Sequence, residues 1–354
     1  MTTPLVRRSN TLSSSLGLGE KLFASSDERR FADALEQGLE TVEAGLLDQM
    51  QFADEIADVT SRYLLEAGGK RVRPMLTLLT AQLGEGNTPD VILAAQAIEI
   101  THVASLYHDD VMDDAPSRRG VPSAQNVWGN SVAILTGDLL FARASKLGAR
   151  LGERILALQA ETFERLCLGQ LHETIGPRAD EDPIEHYIQV LTDKTGSLIA
   201  AAAQVGVIFS NAPQEYRAPV AEFGERIGVA FQLIDDVIDL ASQMDDTGKT
   251  PGTDLRAGVA TLPLLFLRRL AATDSSAANL LERIEREVTS AHDIDDAEVK
   301  AAIAELREHA VTAETLAEAH RWARRAVEAL EPLPEGPVKK ALTRFAETIV
   351  ERSN

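Results

Sequence analysis

The chain has 354 residues, of which 44% are hydrophobic, and its formal net charge is -20. The length and apolar content allow a sizeable core, while the charge repels nucleic acid and anionic lipid at long range, so any anionic ligand must be held by local basic groups. The single cysteine, Cys167, excludes an internal disulfide, and the longest apolar run, Leu198 to Phe209, is too short for a bilayer, which needs roughly 20 residues.

The expectation is a soluble, cytoplasmic protein with no transmembrane segment and no nucleic-acid partner. Residues 1–30 are rich in Ser and Arg and lack helical periodicity; they read as a disordered tail, with a faint likeness to a transit peptide up to Leu18. From 31 to 354 there is no linker, composition break or internal repeat. Ala and Leu recur at helical spacing and no β-branched alternation persists, which predicts one all-α domain over 31–354.

Along that domain the first cluster of interest is basic, Gly68-Gly69-Lys70-Arg71-Val72-Arg73-Pro74. Thr88-Pro89-Asp90 then supplies an N-cap, an N1 proline and a first-turn acid, opening a helix that Ala115-Pro116 should close. Its last turns carry His108-Asp109-Asp110-Val111-Met112-Asp113-Asp114, followed by a basic turn at Arg118-Arg119-Gly120. Asp182-Pro183 starts another helix, in which Lys194-Thr195-Gly196-Ser197 interrupts the apolar pattern, and a kink there aims Lys194 inward. A long helix from about Pro219 to Ser242 carries Gln232, Asp235, Asp236 and Asp239 near its end, with Lys249 in the loop marked by Gly248 and Pro251. Val311 to Leu330 and Val338 to Arg352 read as packing helices.

Asp-Asp-x-x-Asp at the C-terminal end of an apolar helix is costly, because carboxylates repel one another and the helix end already carries partial negative charge. A divalent cation is the natural compensator, and Mg2+ prefers carboxylate, water and phosphate oxygens. With about 3.6 residues per turn, Asp109 and Asp113 share one face, as do Asp235 and Asp239. His102 lies two turns before Asp109, and Gln232 about one turn before Asp235. A merely solvated acidic face is argued against by the interleaved Val111, Met112, Ile234, Val237, Ile238 and Leu240. Arg and Lys nearby suit a diphosphate, the first as a planar fork and the second as a point charge.

Together these motifs make the chain resemble the trans-polyprenyl diphosphate synthases, from about Gly68 to Pro263. The resemblance implies an all-α helical bundle of the isoprenoid synthase type around a deep central cavity. It implies that Asp109, Asp110, Asp113, Asp235, Asp236 and Asp239 hold three Mg2+ on an allylic diphosphate. It also implies that Arg118, Lys194 and Lys249 grip that diphosphate, that Lys70, Arg71, Arg73, His102 and Arg119 grip isopentenyl diphosphate, and that Thr195 and Gln232 line the developing allylic cation. The primer would be farnesyl or geranylgeranyl diphosphate, and the protein a homodimer. One departure stands in Gly258-Val259-Ala260-Thr261-Leu262-Pro263, where many relatives have Lys in place of Val259.

Small residues, Thr101, Ala104 and Ser105, lie beneath Asp109 on the same helix, whose turn of about 5.4 Å is close to one isoprene unit. The resemblance implies that bulky residues at the Ala104 and Ser105 positions stop growth early, so a long all-trans product is expected, of the size used in respiratory quinone side chains. A class I terpene cyclase or a head-to-head condensing enzyme, and a non-catalytic partner subunit, are the competing readings. The isopentenyl-site residues count against a cyclase, and two intact aspartate motifs against the non-catalytic subunit.

Overall fold

The computed structural model describes residues 26–241, 252–256, 258–288 and 297–351. Almost all of it is helix, as the periodicity predicts. The first helix, α1 (Ser26–Gln49), opens five residues inside the stretch expected as a tail, and Lys249, Gly248 and Pro251 lie outside the described residues. No described helix is long and apolar enough to cross a membrane.

The chain clusters into two compact units, where the sequence reading expects one domain: residues up to 164 with 198–224 and 329–344, and residues 165–197 with 225–328 and from 345 onward. The divisions fall inside continuous helices, so no linker marks them in the sequence.

The first unit holds α1, α2 (Glu55–Glu66), α3 (Val72–Ala81), α4 (Pro89–Met112), α5 (Ala124–Trp128), α6 (Asn130–Leu151), the opening half of α7 (Glu153–Ile175) and α9 (Ser197–Phe209). Helix α4 begins where expected: Thr88 accepts from the Val91 N–H at 3.2 Å and Pro89 occupies the first turn. Its apolar side chains face inward on nearly every side, which a helix can sustain only at the centre of a bundle. Helices α3 and α9 approach closely because Gly206 has no side chain there. A β-carbon at that position would lie 2.1 Å from Thr80 Oγ1, and the Thr77 and Thr80 hydroxyls donate to the Ala202 and Ala203 carbonyls at 2.8 and 2.9 Å.

Between α4 and α5 runs a small antiparallel ribbon, β1 (Ser117–Arg118) with β2 (Val121–Pro122), which the helical reading does not anticipate. Its turn residues Arg119 and Gly120 both have positive φ, 55° and 78°, as a tight hairpin of the primed type requires.

The second unit holds the rest of α7, α8 (Pro183–Leu191), most of α10 (Arg217–Ala241), α11 (Thr253–Arg256), α12 (Leu262–Ala271), α13 (Ser275–Arg283), α14 (Ala297–Glu308), α15 (Ala310–Ala329) and the end of α16 (Pro337–Glu351). Leu255, Leu262, Ile284, Ile303 and Leu306 are among its buried side chains. Asp182 caps α8 by accepting from the Ile184 and Glu185 N–H groups at 2.8 and 3.0 Å. The expected interruption after α8 takes the form of a π-helical turn, Thr192–Gly196.

Candidate active site

In the first unit, two short segments converge on the middle and end of α4. Gly68 and Gly69 hold φ values of 104° and 149° that side chains rarely adopt. A β-carbon at Gly69 would stand 2.6 Å from Arg71 Nη1 and 3.0 Å from Arg119 Cζ. The glycine therefore lets two guanidinium groups from segments about fifty residues apart close on the same stretch of backbone. Arg71 and Arg119 are themselves left-handed, with φ of 51° and 55°. Such a conformation costs on the order of 1 kcal/mol or more in a residue with a side chain. Their bonds hold it: Arg71 donates to the Leu65 and Gly68 carbonyls and to Glu99, each at 3.3 Å, and Arg119 donates to the Leu64 carbonyl at 2.5 Å.

Arg118 reaches the end of α4, donating from Nε to Asp110 Oδ1 at 2.7 Å while its Nη2 lies 2.6 Å from the same oxygen. Asp110 is fully buried; burial raises its pKa and Arg118 opposes that rise. The other carboxylate oxygen of Asp110 is buried with no hydrogen-bond partner among the described residues. Gln125 of α5 donates to the Asp110 and Ala115 carbonyls at 2.8 Å, tying α5 to the end of α4. Tyr107, fully buried, donates to the Thr60 carbonyl and so pins α2 beside α4.

The charge balance here is positive. His102 is held well below its ordinary pKa, first by burial and then by Arg73, Arg119, Arg118 and Arg71. Arg73 is lowered mainly by burial, and Arg119 is brought by burial to about 10, still protonated near neutrality. The Nε of Arg73 is buried without a hydrogen-bond partner among the described residues. An uncharged imidazole beside desolvated guanidinium groups is a receptor for a multiply charged anion. Asp109 is half-buried and Asp113 exposed, and Lys70 stands exposed at the start of the basic segment.

Beneath the acidic end of α4 lies a cavity of about 300 Å3 lined by Ile98 and Thr101 of α4, Phe141 and Ala144 of α6, and Leu156 and Phe163 of α7, among others. Of the three small residues Thr101, Ala104 and Ser105, Thr101 is the one that lines it. Ala104 and Ser105 are buried above, Ala104 on the side where Gly137 of α6 comes close. The ring of Phe141 lies 4.5 Å from that of Phe163 and 5.5 Å from that of His108, so an aromatic stack descends from the residue before Asp109. No sequence signal distinguished these two phenylalanines from ordinary core.

The second unit carries the other acidic cluster on α10. Asp236 is buried, accepts from the Tyr187 hydroxyl at 2.8 Å, and is held well above the usual carboxylate range by burial. Asp235 is half-buried, and Gln232 lies one turn earlier. The Asp239 carboxylate accepts from the Thr253 and Asp254 N–H groups, both at 3.2 Å, capping α11. In the π-helical turn Lys194 pairs with Glu173 of α7 at 2.5 Å, and Thr195 follows it. Arg165 supports this turn, bonding Asp193 and Glu225, each at 2.7 Å. Val259, where the resemblance leads one to expect Lys, is exposed and its N–H donates to the Asp254 carbonyl at 2.9 Å.

Among the described residues no three His, Cys, Asp or Glu side chains gather closely enough to hold a metal alone. The donor chemistry still fits Mg2+, which commonly takes one or two carboxylates and completes an octahedral shell with water and phosphate oxygens.

Comparisons with known proteins point to one family. A model of the family described as Polyprenyl synthetase matches residues 54–303. The chain is 42% identical over 323 residues to a nonaprenyl diphosphate synthase of Mycobacterium tuberculosis, spanning 91% of this chain and 94% of that protein. Among solved structures it is similar to a decaprenyl diphosphate synthase from Rhodobacter capsulatus, with TM-score 0.80, 31% identity, and coverage of 92% of this chain and 99% of the other. It is also similar to a geranylgeranyl pyrophosphate synthase from Corynebacterium glutamicum complexed with calcium and isoprenyl diphosphate, with TM-score 0.77, 40% identity, and coverage of 94% and 99%. The chain belongs to the polyprenyl synthetase family, has its all-α isoprenoid synthase fold, and is a prenyltransferase.

Proposed function

We propose that this member of the polyprenyl synthetase family adds isopentenyl diphosphate repeatedly, head to tail, to farnesyl or geranylgeranyl diphosphate. The product is a long all-trans polyprenyl diphosphate that serves a respiratory quinone side chain of the menaquinone or ubiquinone kind. The observation that carries the reading is the gathering of Arg71, Arg73, Arg118 and Arg119 about an uncharged His102, two helical turns from Asp109.

In this reading Lys70, Arg71, Arg73, His102 and Arg119 hold the isopentenyl diphosphate. Arg118, Lys194 and Lys249 hold the allylic one, with Asp109, Asp110, Asp113, Asp235, Asp236 and Asp239 forming the two magnesium-binding motifs. Asp109, Asp113 and Asp235 are the best suited to direct ligation, since Asp110 and Asp236 are buried against Arg118 and Tyr187 and Asp239 caps α11. Three Mg2+ ions, if held by these motifs, would supply positive charge against the charge that grows on the departing diphosphate. Arg118 and Lys194 add fixed positive charge where that negative charge develops. Thr195 and Gln232 turn their dipoles to the allylic carbon as its carbon–oxygen bond breaks. The isopentenyl double bond forms the new carbon–carbon bond, and the departing diphosphate accepts the proton that is lost.

Product length is the finer part of the proposal, because the relatives include both nonaprenyl and geranylgeranyl synthases. The small residues Thr101, Ala104 and Ser105 and the cavity of about 300 Å3 below them support the long product. The exposed apolar side chains Val127, Ile134 and Leu135 on α5 and α6 support a homodimer, since self-association would bury exposed apolar surface. A cytoplasmic location completes the reading.

The test is incubation of the pure protein with Mg2+, farnesyl diphosphate and labelled isopentenyl diphosphate, followed by sizing of the products. Long polyprenyl chains are expected. A cyclised hydrocarbon, or no product without a second protein, overturns the proposal, and light scattering of the same preparation reads the dimer.

A further inference from the structure

The basic cluster around His102 contains one acid that no substrate-binding role accounts for. Glu99 lies on α4, one turn before His102, and is only 2% exposed. Its Oε1 accepts from Arg71 Nη1 at 3.3 Å, and its field also acts on Arg73 and Arg119, where it is the leading influence opposing their desolvation. One buried carboxylate therefore faces three guanidinium groups from two separate segments. Glu43 of α1 lies 3.4 Å from Arg71 Nε on the other side, at a more exposed position.

We propose that Glu99 is a positioning residue for isopentenyl diphosphate: it fixes the buried, left-handed Arg71 and keeps Arg73 and Arg119 gathered against mutual repulsion before substrate arrives. This rests on the proposed reading of the cluster as the isopentenyl site. Without an anion among them, three like charges at close range spread apart, and the geometry a diphosphate needs is lost. Two views of Glu99 predict opposite signs. Were it only a negative charge near an anion site, removing it would tighten isopentenyl diphosphate binding. As a positioning group, its removal weakens binding although the site becomes more positive.

The experiment compares Glu99→Ala and Glu99→Gln with the wild type in steady-state condensation, with each substrate varied in turn. Glu99→Ala should raise KM for isopentenyl diphosphate by about tenfold or more, the loss typical of removing a group that orients a ligand. KM for the allylic diphosphate should change little. Glu99→Gln, which keeps an oxygen to accept from Arg71, should recover part of the loss. Thermal unfolding identifies any variant that fails to fold, and should Glu99→Ala do so, the isosteric Glu99→Gln alone decides by the direction in which KM moves. An unchanged or lowered KM for isopentenyl diphosphate in a folded variant overturns this inference. A wild type that condenses nothing overturns the functional reading instead, so the two failures are distinct.

Discussion

Gly169→Ala should damage turnover through Lys194 with no change to any charged group. Gly169 of α7 packs against the π-helical turn, and a β-carbon there would stand 2.6 Å from the Lys194 backbone nitrogen and 3.1 Å from its Cα. Both contacts are to backbone, which cannot rotate away as a flexible side chain would. Ordinary contact begins near 3.4 Å, so the methyl group must push the turn or α7 by roughly 0.8 Å. Overpacking of this kind costs about 1–3 kcal/mol of stability, and a displacement near 1 Å at a catalytic group can cost about 100-fold in rate. The Lys194 to Glu173 pair and the Arg165 bonds to Asp193 and Glu225 are set from the same two elements, so they register the shift as well. The assay is kcat, KM for the allylic diphosphate, and thermal unfolding for the wild type, Gly169→Ala and Gly148→Ala. The last is the control, because its nearest obstacle, at 2.1 Å, is the mobile end of Gln159. A Gly169→Ala enzyme with wild-type kcat and unchanged unfolding temperature would refute the link between this close approach and the site.

Asp109→Ala should abolish condensation while the protein stays folded, since removing an acid from a helix C-terminus relieves about 0.5 kcal/mol of unfavourable charge; retained turnover contradicts a metal role for that carboxylate. Thr101→Phe should shorten the product on chromatography with little loss of stability because it fills an existing cavity, whereas Ala104→Phe should also shorten it but at about 1–3 kcal/mol, being fully buried; unchanged lengths remove the pocket assignment. His102 has a folded pKa below its ordinary 6.5, so the unfolded chain binds the extra proton, and this residue makes stability rise with pH from its folded pKa up to about 6.5. Apo His102→Gln should lose that part of the slope in unfolding measurements across about pH 5 to 8. Arg118→Ala strands the buried Asp110 carboxylate and should destabilise the protein by about 3 kcal/mol or less, because a third of Arg118 faces water; adding Asp110→Asn should restore part of it in the same unfolding assay.

The start of α4, the start of α8 and the ends of α10, α15 and α16 were legible because proline, capping acids and apolar spacing act within a few residues. The break at Lys194-Thr195-Gly196-Ser197 was legible as an interruption but not as a π-helical turn, which depends on what α7 packs against it. Gly169 is a readable clue, since an isolated glycine inside a helical pattern costs stability and points to a packing reason. Glu99, Tyr187, Arg165 and the Phe141 and Phe163 pair were not legible. Each matters through a partner tens of residues away, and nothing local separates a buried Glu99 from the many exposed glutamates on neighbouring helices.

The first two acids of each motif divide in the same way, and helix geometry explains why. In Asp-Asp-x-x-Asp the first and last acids stand about one turn apart on one face, while the second is rotated by about 100° from the first. On α4 that rotation buries Asp110, which Arg118 satisfies; on α10 it buries Asp236, which meets Tyr187. Asp109 and Asp235 stay half-buried and Asp113 exposed, while Asp239 caps α11. The middle acid anchors a neighbouring element: the basic ribbon at Arg118 in one unit, and α8, which leads into the Lys194 turn, in the other. The same pair of aspartates therefore does two things: the first stands less buried, on the face proposed to meet the ligand, and the second holds in place a segment carrying Arg118 in one unit and leading to Lys194 in the other, the cations proposed for the diphosphate.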